Sequence, residues 1–142
     1  MPNFQSGRES PLAFRFHVAM QGVLGVGGHI LNWSAEDCAR ARGLIEAYKR
    51  LRPIVQQGSQ YWLAPPSAAG SPCAVQYVSP DRRQTVVFLY QVRGVVGQGL
   101  RRVRLRGLDP DRRYRRAAAA ESTGAALMGS GIPAAFPSAH RH

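Results

Sequence analysis

The chain has 142 residues, of which 44% are hydrophobic, and this length and composition fit one ordinary globular domain. A closed barrel of eight β/α units needs roughly 250 residues, which is more than this chain has. A membrane-spanning helix needs roughly 20 consecutive apolar residues, and the apolar runs of this sequence are far shorter. The net charge of +11 comes from 18 arginines and one lysine, which keeps nucleic-acid binding open as a function.

The first thirty residues combine a loop with an apolar block. Residues 1–15 contain Pro, Gly and Ser at the positions typical of a loop, and the next stretch, Phe14–Val23, is apolar enough for a short buried helix. Gly22–Ile30 follows with the pattern of a buried strand interrupted by glycines. Its glycines do not have the order of a dinucleotide-binding motif, so no nucleotide site is predicted. His17 and His29 stand in apolar surroundings and are predicted to be core histidines.

A long amphipathic helix is predicted from Ser34 onward. Ser34 is a helix N-cap, and Glu36 and Asp37 place carboxylates in the first turn, where they suit the free backbone N–H groups. Pro53 is predicted to kink or end the helix one turn before its C-terminus. The apolar residues recur at spacings of three and four, and they are Ala41, Leu44, Ile45, Tyr48, Leu51 and Val55.

From Gln60 the sequence changes to short strand-like runs separated by turn residues. Such regular short strands predict an antiparallel sandwich or partial barrel, with a domain boundary near Gln57. The last 26 residues are rich in alanine, and we predict that they are only partly ordered. The predicted strands are Tyr61–Leu63, Ala74–Val78, Thr85–Gln91, Leu100–Arg106 and Arg113–Arg116.

No catalytic or metal-binding set is predicted from the residues themselves. Cys38 and Cys73 lack the spacing of a metal site or a disulfide framework, so they are predicted to be reduced and inert. Six of the eight carboxylates are explained by helix caps, turns or a solvated helix face, which leaves Glu9 and Glu121. Neither follows a recognisable strand, and the nucleophile motif G-x-S-x-G does not occur.

Arginines alternate with apolar residues near the C-terminus. In a strand, Arg102, Arg104 and Arg106 would lie on one face, and Val103 and Leu105 on the other. We interpret the arginine face as a solvated surface that discourages edge pairing, with phosphate binding as the alternative.

Two neighbouring aromatic residues allow a second binding hypothesis. Tyr61 and Trp62 could stack on a sugar ring, although aromatic residues in the core of a sandwich are more usual.

Several motifs resemble bacterial α-galactosidases of glycoside hydrolase family 36. Pro2-Asn3-Phe4-Gln5-Ser6-Gly7-Arg8, followed by Arg15-Phe16-His17-Val18-Ala19-Met20, is similar to the P-N-H-Q-T-G-R and R-x-x-V-A-M motifs of that family. Phe4 stands where the family usually has His, and Ser6 where it has Thr. The resemblance continues in order through Tyr48-Lys49-Arg50-Leu51-Arg52-Pro53, Ala74-Val75-Gln76-Tyr77-Val78-Ser79-Pro80-Asp81, Leu105-Arg106-Gly107-Leu108-Asp109-Pro110 and Gly124-Ala125-Ala126-Leu127-Met128.

The resemblance implies an α+β fold. Residues 1–57 would be the last strand and helix of the catalytic (β/α)₈ barrel, residues 58–116 a C-terminal antiparallel β-sandwich domain, and residues 117–142 an Ala-rich tail. The parent enzyme would hydrolyse terminal α-D-galactosyl residues with retention and without a cofactor. Asn3, Gln5 and Arg8 would then lie near the substrate, unless they only tie the loop to neighbouring turns.

The resemblance also implies that the catalytic residues are missing. The family's nucleophile and acid/base aspartates belong to motifs that precede P-N-H-Q-T-G-R, so both would fall before Met1 and the chain would be inert alone. Its expected partner is the N-terminal catalytic part of the enzyme or a second copy, in the cytoplasm and without a membrane. An accessory carbohydrate-binding β-module is the alternative function, and a basic nucleic-acid binder the less favoured one.

Overall fold

A computed structural model of the chain describes residues 10–27, 30–65, 72–91, 102–116 and 120–134. The chain divides into two compact units, an N-terminal unit (Met1–Gln56) and a C-terminal unit (Gln57–His142). The class is α+β with antiparallel sheets, as predicted. Within the described ranges, no helix is both long and apolar enough to cross a membrane.

The N-terminal unit begins with helix α1 (Leu12–Ala19), which buries one side. Leu12 and Phe16, one helical turn apart, are buried, and Met20 follows them at the C-cap. The helix therefore starts two residues before the predicted Phe14 and stops earlier than predicted. His17 lies on the exposed side of α1, so the prediction of a core histidine is wrong there, and His29 lies outside the described residues.

The predicted strand Gly22–Ile30 is wrong. Residues 23–27 have no regular structure, and a 3₁₀ turn occupies Ile30–Asn32. A strand needs a neighbouring backbone to pair with, and no backbone–backbone hydrogen bond joins residues 23–27 to another described segment. The apolar side chains of the stretch consequently face solvent, with Val23 83% exposed.

Helix α2 (Ala35–Gln57) follows the predicted pattern closely. The Ser34 hydroxyl oxygen accepts a hydrogen bond from the Asp37 N–H at 3.0 Å, which confirms the N-cap. Pro53 does not end the helix, which continues to Gln57. Proline removes one backbone donor, and the burial of Ile54 and Val55 stabilises the last turn beyond it.

Three strands form the main sheet of the C-terminal unit. Strands β1 (Ser59–Ala64), β2 (Cys73–Val78) and β3 (Thr85–Tyr90) are antiparallel and lie in the order β1-β2-β3. All six residues of the central strand β2 are buried, so each of its faces is covered. The predicted strands Tyr61–Leu63, Ala74–Val78 and Thr85–Gln91 correspond to these three within two residues at each end.

A polar turn joins β2 to β3 and fixes their register. The Asp81 carboxylate accepts hydrogen bonds from the Ser79 hydroxyl at 2.6 Å and from the Arg83 N–H at 3.0 Å. The Gln84 N–H donates to the Ser79 hydroxyl oxygen at 2.9 Å, and the Ser79 N–H donates to the Gln84 carbonyl at 2.9 Å. This arrangement places Val78 opposite Thr85 across the hairpin.

The hairpin is expected to lose stability in acid through Asp81. The hydrogen bond from Ser79, and then that from the Arg83 N–H, lower the pKa of Asp81 below its ordinary value of 3.8. A lowered folded-state pKa gives a contribution to stability that is present above pH 3.8 and is lost as the pH falls through the folded value. Asp81→Asn keeps an oxygen acceptor but cannot titrate. The stability difference between wild type and Asp81→Asn should therefore shrink below pH 3.8 in urea unfolding, and a difference that is constant with pH would contradict this role.

Two short strand pairs and one helix complete the C-terminal unit. Strand β4 (Arg102–Val103) pairs with β7 (Ile132–Pro133), and β5 (Arg113–Tyr114) pairs with β6 (Ser122–Thr123). Helix α3 (Gly124–Gly129) lies between β6 and β7 in the sequence. The predicted strands Leu100–Arg106 and Arg113–Arg116 were therefore too long, and part of the Ala-rich segment forms three elements that the sequence did not predict.

One apolar core holds these elements together. Val78, Leu105, Leu108 and Tyr114 form its buried centre. Partly buried residues from β1, β3, α3 and β7 pack against it, and they are Tyr61, Leu63, Val87, Leu127, Met128 and Ile132. The C-terminal Ala-rich segment thus contributes to the core through α3 and β7.

Candidate functional site

The resemblance suggests three residues near the substrate, Asn3, Gln5 and Arg8. These three residues and Glu9 lie outside the described residues. Their role stays a prediction. The described ranges contain an open cleft, seven carboxylates and a buried polar network.

The open cleft lies in the N-terminal unit and has a volume of about 160 Å³. Helix α1 provides one wall, and the irregular segment 23–27 together with Trp33 provides the other. Of the described residues that line the cleft, Arg15 carries a charge and none is a carboxylate. The cleft therefore offers apolar contacts and one cation, which suits binding of an apolar group rather than acid–base chemistry.

Three of the described carboxylates form ion pairs with nearby basic residues. Glu36 bonds Arg40 at 2.8 Å, and Glu46 bonds Lys49 at 2.7 Å, each within one turn of α2. The hydrogen bond and charge of Lys49 lower the pKa of Glu46, whereas a general acid at neutral pH needs a raised pKa. Glu121 is exposed and lies 3.9 Å from Arg113.

Asp109 shapes a second turn, and the sequence predicted a turn role for this carboxylate. Its carboxylate accepts a hydrogen bond from the Asp111 N–H at 3.2 Å and lies 3.6 Å from the Arg112 guanidinium. Its own N–H donates to the hydroxyl of Tyr114 at 3.1 Å, and that hydroxyl donates to the Arg82 carbonyl at 2.5 Å. Asp109 is therefore a structural residue, like the other paired carboxylates.

The two cysteines are free, with Cys38 exposed and Cys73 buried. Burial raises the pKa of the Cys73 thiol, which keeps it in the unreactive protonated form at neutral pH. Among the residues that the structure describes, no group of three or more His, Cys, Asp or Glu side chains could hold a metal ion.

The buried polar network is centred on Gln76 of β2, which is fully buried. Its side-chain carbonyl accepts the Arg106 N–H at 2.8 Å, and its amide nitrogen donates to the Arg106 carbonyl at 2.9 Å. The same nitrogen donates to the Thr85 hydroxyl at 3.0 Å. The Gln76 side chain thus pairs with the backbone at 106 as a neighbouring strand would. The signal that could have revealed it is a lone polar residue inside the apolar run of β2.

The predicted arginine face is present, although only Arg102 and Val103 are in a strand. Arg102, Arg104 and Arg106 are exposed, whereas Val103 and Leu105 are buried. The Arg102 guanidinium donates to the carbonyls of residues 130 and 131, at 2.6 and 2.7 Å, and so binds the C-terminal end of α3. Part of this face therefore has a structural role.

The two aromatic residues of β1 differ in exposure. Trp62 is 51% exposed, whereas Tyr61 packs against the core of the C-terminal unit. Adjacent residues of a strand point to opposite faces, so the two rings cannot form one stacking platform. A single exposed ring is weak support for a carbohydrate-binding module.

Comparison with known proteins gives one consistent family. Residues 72–140 match the glycosyl hydrolase family 36 C-terminal domain. The chain is 39% identical to the probable alpha-galactosidase G of Aspergillus terreus over 96% of its own length, and 31% identical to the alpha-galactosidase 1 of Pediococcus pentosaceus over 80%. These matches span 19% and 15% of the two relatives. The relatives are fungal as well as bacterial, so the bacterial qualifier is not confirmed.

Solved structures agree with the sequence comparison. The GH36 α-galactosidase AgaB from Geobacillus stearothermophilus is 31% identical, with a TM-score of 0.88 over 96% of this chain and 19% of that chain. The galactosidase domain of the α-galactosidase-sucrose kinase AgaSK is 29% identical, with a TM-score of 0.88 over 100% of this chain and 20% of that chain. The chain therefore spans about a fifth of the length of the proteins that it matches.

Proposed function

We propose that the chain is the C-terminal part of an α-galactosidase, because residues 72–140 match the glycosyl hydrolase family 36 C-terminal domain. The enzyme would hydrolyse terminal α-D-galactosyl residues with retention. The observation that carries the proposal is coverage: 96% of this chain aligns with an α-galactosidase of which it spans only 19%. Such a match is what one contiguous part of a longer enzyme would give.

In this proposal the chain supplies scaffold and not the catalytic carboxylates. A retaining glycosidase needs two carboxyl groups about 5–5.5 Å apart on either side of the scissile bond. Described carboxylates instead form ion pairs or shape turns, as Glu36, Asp81 and Asp109 do. The catalytic aspartates would lie in the part of the enzyme outside this chain.

The finer domain assignment also belongs to the proposal. Residues 1–57 would be the end of the catalytic barrel, and a C-terminal β-domain would follow from residue 58. Asn3, Gln5 and Arg8 would lie on the substrate side of the barrel, as the resemblance implies. The cytoplasmic location and a second copy as partner remain predictions from the sequence.

Carbohydrate binding by an accessory module is not favoured, because the relatives are named as α-galactosidases and Trp62 is the only half-exposed ring on β1. Nucleic-acid binding has support only from the net charge.

The isolated chain is expected to be inactive. With a chromogenic aryl α-D-galactoside, turnover should not exceed that of buffer, because under the proposal the nucleophile and acid/base aspartates lie outside this chain. AgaB assayed in parallel is the positive control. Hydrolysis that copurifies with the chain and disappears in Glu121→Gln would contradict the scaffold role, since Glu121 is an exposed carboxylate that lies 3.9 Å from Arg113.

A chimera tests the proposed function itself. This chain replaces the matching fifth of AgaB, and the comparison protein is AgaB without that fifth. The chimera is expected to hydrolyse the aryl α-galactoside, and the shortened AgaB to have lost at least 90% of the parent activity. A chimera that is folded and soluble but inactive would contradict the proposal.

A further inference from the structure

The C-terminal unit carries far more positive than negative charge. Its sequence, Gln57–His142, contains twelve arginines, no lysine and four carboxylates. Three of the four carboxylates already pair with an arginine of the same unit, so most of its negative charge is compensated where it occurs. These pairs are Asp81–Arg83, Asp109–Arg112 and Glu121–Arg113, with N–O distances of 3.7, 3.6 and 3.9 Å.

The arginine face, formed by Arg102, Arg104 and Arg106, has no carboxylate of this kind. Its three side chains are exposed, and the residues between them, Val103 and Leu105, are only 3% and 4% exposed. Within the described ranges, the side chains of Arg104 and Arg106 form no ion pair or hydrogen bond. The segment contacts β2, α3 and β7, and none of these elements contains a charged residue. Three positive charges therefore lie on one side of five residues without compensation.

The backbone beneath the arginine face is held at three points. The Arg102 guanidinium donates to the carbonyls of residues 130 and 131, and the Leu105 N–H donates to the Leu127 carbonyl at 3.2 Å. The buried Gln76 side chain bonds both the N–H and the carbonyl of Arg106. Because the segment is already ordered, a ligand that binds there loses no free energy to ordering the backbone.

The spacing of the two free arginines indicates the chemistry of the ligand. Alternate residues of an extended chain lie on one side, about 6.6 Å apart, and the same holds for two carboxylates placed two residues apart in an extended peptide. A guanidinium group binds a carboxylate through two parallel hydrogen bonds. Proteins that bind duplex nucleic acid tightly contact roughly six to ten phosphates, and two free arginines are too few for that.

We propose that Arg104 and Arg106 bind an extended acidic segment of a partner protein, in which two carboxylates stand two residues apart. Arg102 adds positive charge while its guanidinium stays bonded to the C-terminal end of α3. The interaction goes beyond the proposed function and does not depend on it, since no catalytic group takes part. Because the arginines are exposed, binding weakens as salt screens the charges.

Fluorescence anisotropy of the full chain with two labelled peptides of equal charge tests this proposal at low salt. The peptide Thr-Glu-Thr-Glu-Thr should bind at least fivefold more tightly than Thr-Thr-Glu-Glu-Thr, whose carboxylates point to opposite sides of an extended chain. The double variant Arg104→Gln, Arg106→Gln should weaken binding at least tenfold. The matched control Arg42→Gln, Arg50→Gln removes the same charge from exposed positions of α2 and should weaken it less than twofold. All four side chains are exposed, so the circular dichroism and the urea midpoint should stay at the wild-type values.

Three results would overturn the proposal. Equal weakening by the two double variants would show that the peptide responds to the net charge of the chain and not to the arginine face. Equal affinity for the two peptides would show that the spacing of the carboxylates is not recognised. A single-stranded oligonucleotide that binds more tightly than either peptide, and that is released by Arg104→Gln with Arg106→Gln, would identify a phosphate polymer as the ligand. None of these results depends on whether the AgaB chimera is active.

Discussion

Gln76→Leu is expected to lower the free energy of unfolding of the C-terminal unit by about 3 kcal/mol. Leucine has a similar volume and suits an apolar strand, so the loss comes from hydrogen bonds and not from a cavity. The substitution removes the partners of the Arg106 N–H and carbonyl, which Gln76 holds at 2.8 and 2.9 Å. Each partly buried backbone group left without a partner costs about 1–3 kcal/mol, and the added apolar burial offsets part of the sum.

Gln60→Leu is the matched control for this prediction. Gln60 is an exposed residue of β1, opposite Tyr77 in the sheet. The same chemical change there should alter the free energy of unfolding by less than about 0.5 kcal/mol. Urea unfolding followed by circular dichroism measures both variants. Equal effects of the two substitutions would show that Gln76 does not join β2 to the segment at Arg106.

Gly131→Ala is expected to cost about 3 kcal/mol for two separate reasons. Gly131 has a φ of +70°, and the left-handed region costs other residues about 1–2 kcal/mol. An added Cβ would also collide with the Val103 carbonyl and lie 2.9 Å from the Arg104 nitrogen. Because Val103 pairs with Ile132, the backbone cannot move apart without breaking β4–β7, and such overpacking costs about 1–3 kcal/mol.

Gly129→Ala, two residues earlier, is the control. A Cβ at Gly129 would meet nothing within 4 Å, and the residue is helical in α3. Alanine is favoured over glycine in helices by up to about 1 kcal/mol, so this variant should be as stable as wild type or slightly more stable. A Gly131→Ala protein with the wild-type urea midpoint would contradict the tight packing of β7 against β4.

Local signals in the sequence were sufficient for a large part of the fold. Ser34 marked the start of α2 through its own hydrogen bond to the first turn, and apolar spacing marked the buried side that includes Ala41 and Tyr48. Turn residues such as Ser79 and Asp81 placed the β2–β3 hairpin, because their side chains bond the backbone within five residues. Each of these features depends on interactions close in sequence.

The features that sequence reasoning missed depend on distant partners. Gly22–Ile30 has the pattern of a buried strand, yet a pattern cannot show whether the pairing backbone is present. The two-residue strands β6 and β7 are defined by their pairing with β5 and β4, about ten and thirty positions away. His17 stands among apolar residues in the sequence but on the exposed side of α1.

In the candidate site too, interactions close in sequence could be predicted and interactions between distant residues could not. Carboxylates such as Glu46 bond residues close in sequence, so their roles could be predicted. Gln76 was not predicted, because its bonds to Arg106 span 30 residues. The cleft of the N-terminal unit was likewise not predicted, since it forms where α1, the segment 23–27 and Trp33 meet.

Hydrogen exchange of backbone amides, measured on the isolated chain and on the AgaB chimera, tests most directly whether this chain is the scaffold of a larger enzyme. The amides of β2, paired on both sides, should be protected in both proteins. Those of Val23, Gly25 and Val26 should exchange rapidly in the isolated chain and at least a hundredfold more slowly in the chimera, because the proposal assigns residues 1–57 to the end of the catalytic barrel, where this segment would gain a strand partner. Equal rates in the two proteins would contradict this account.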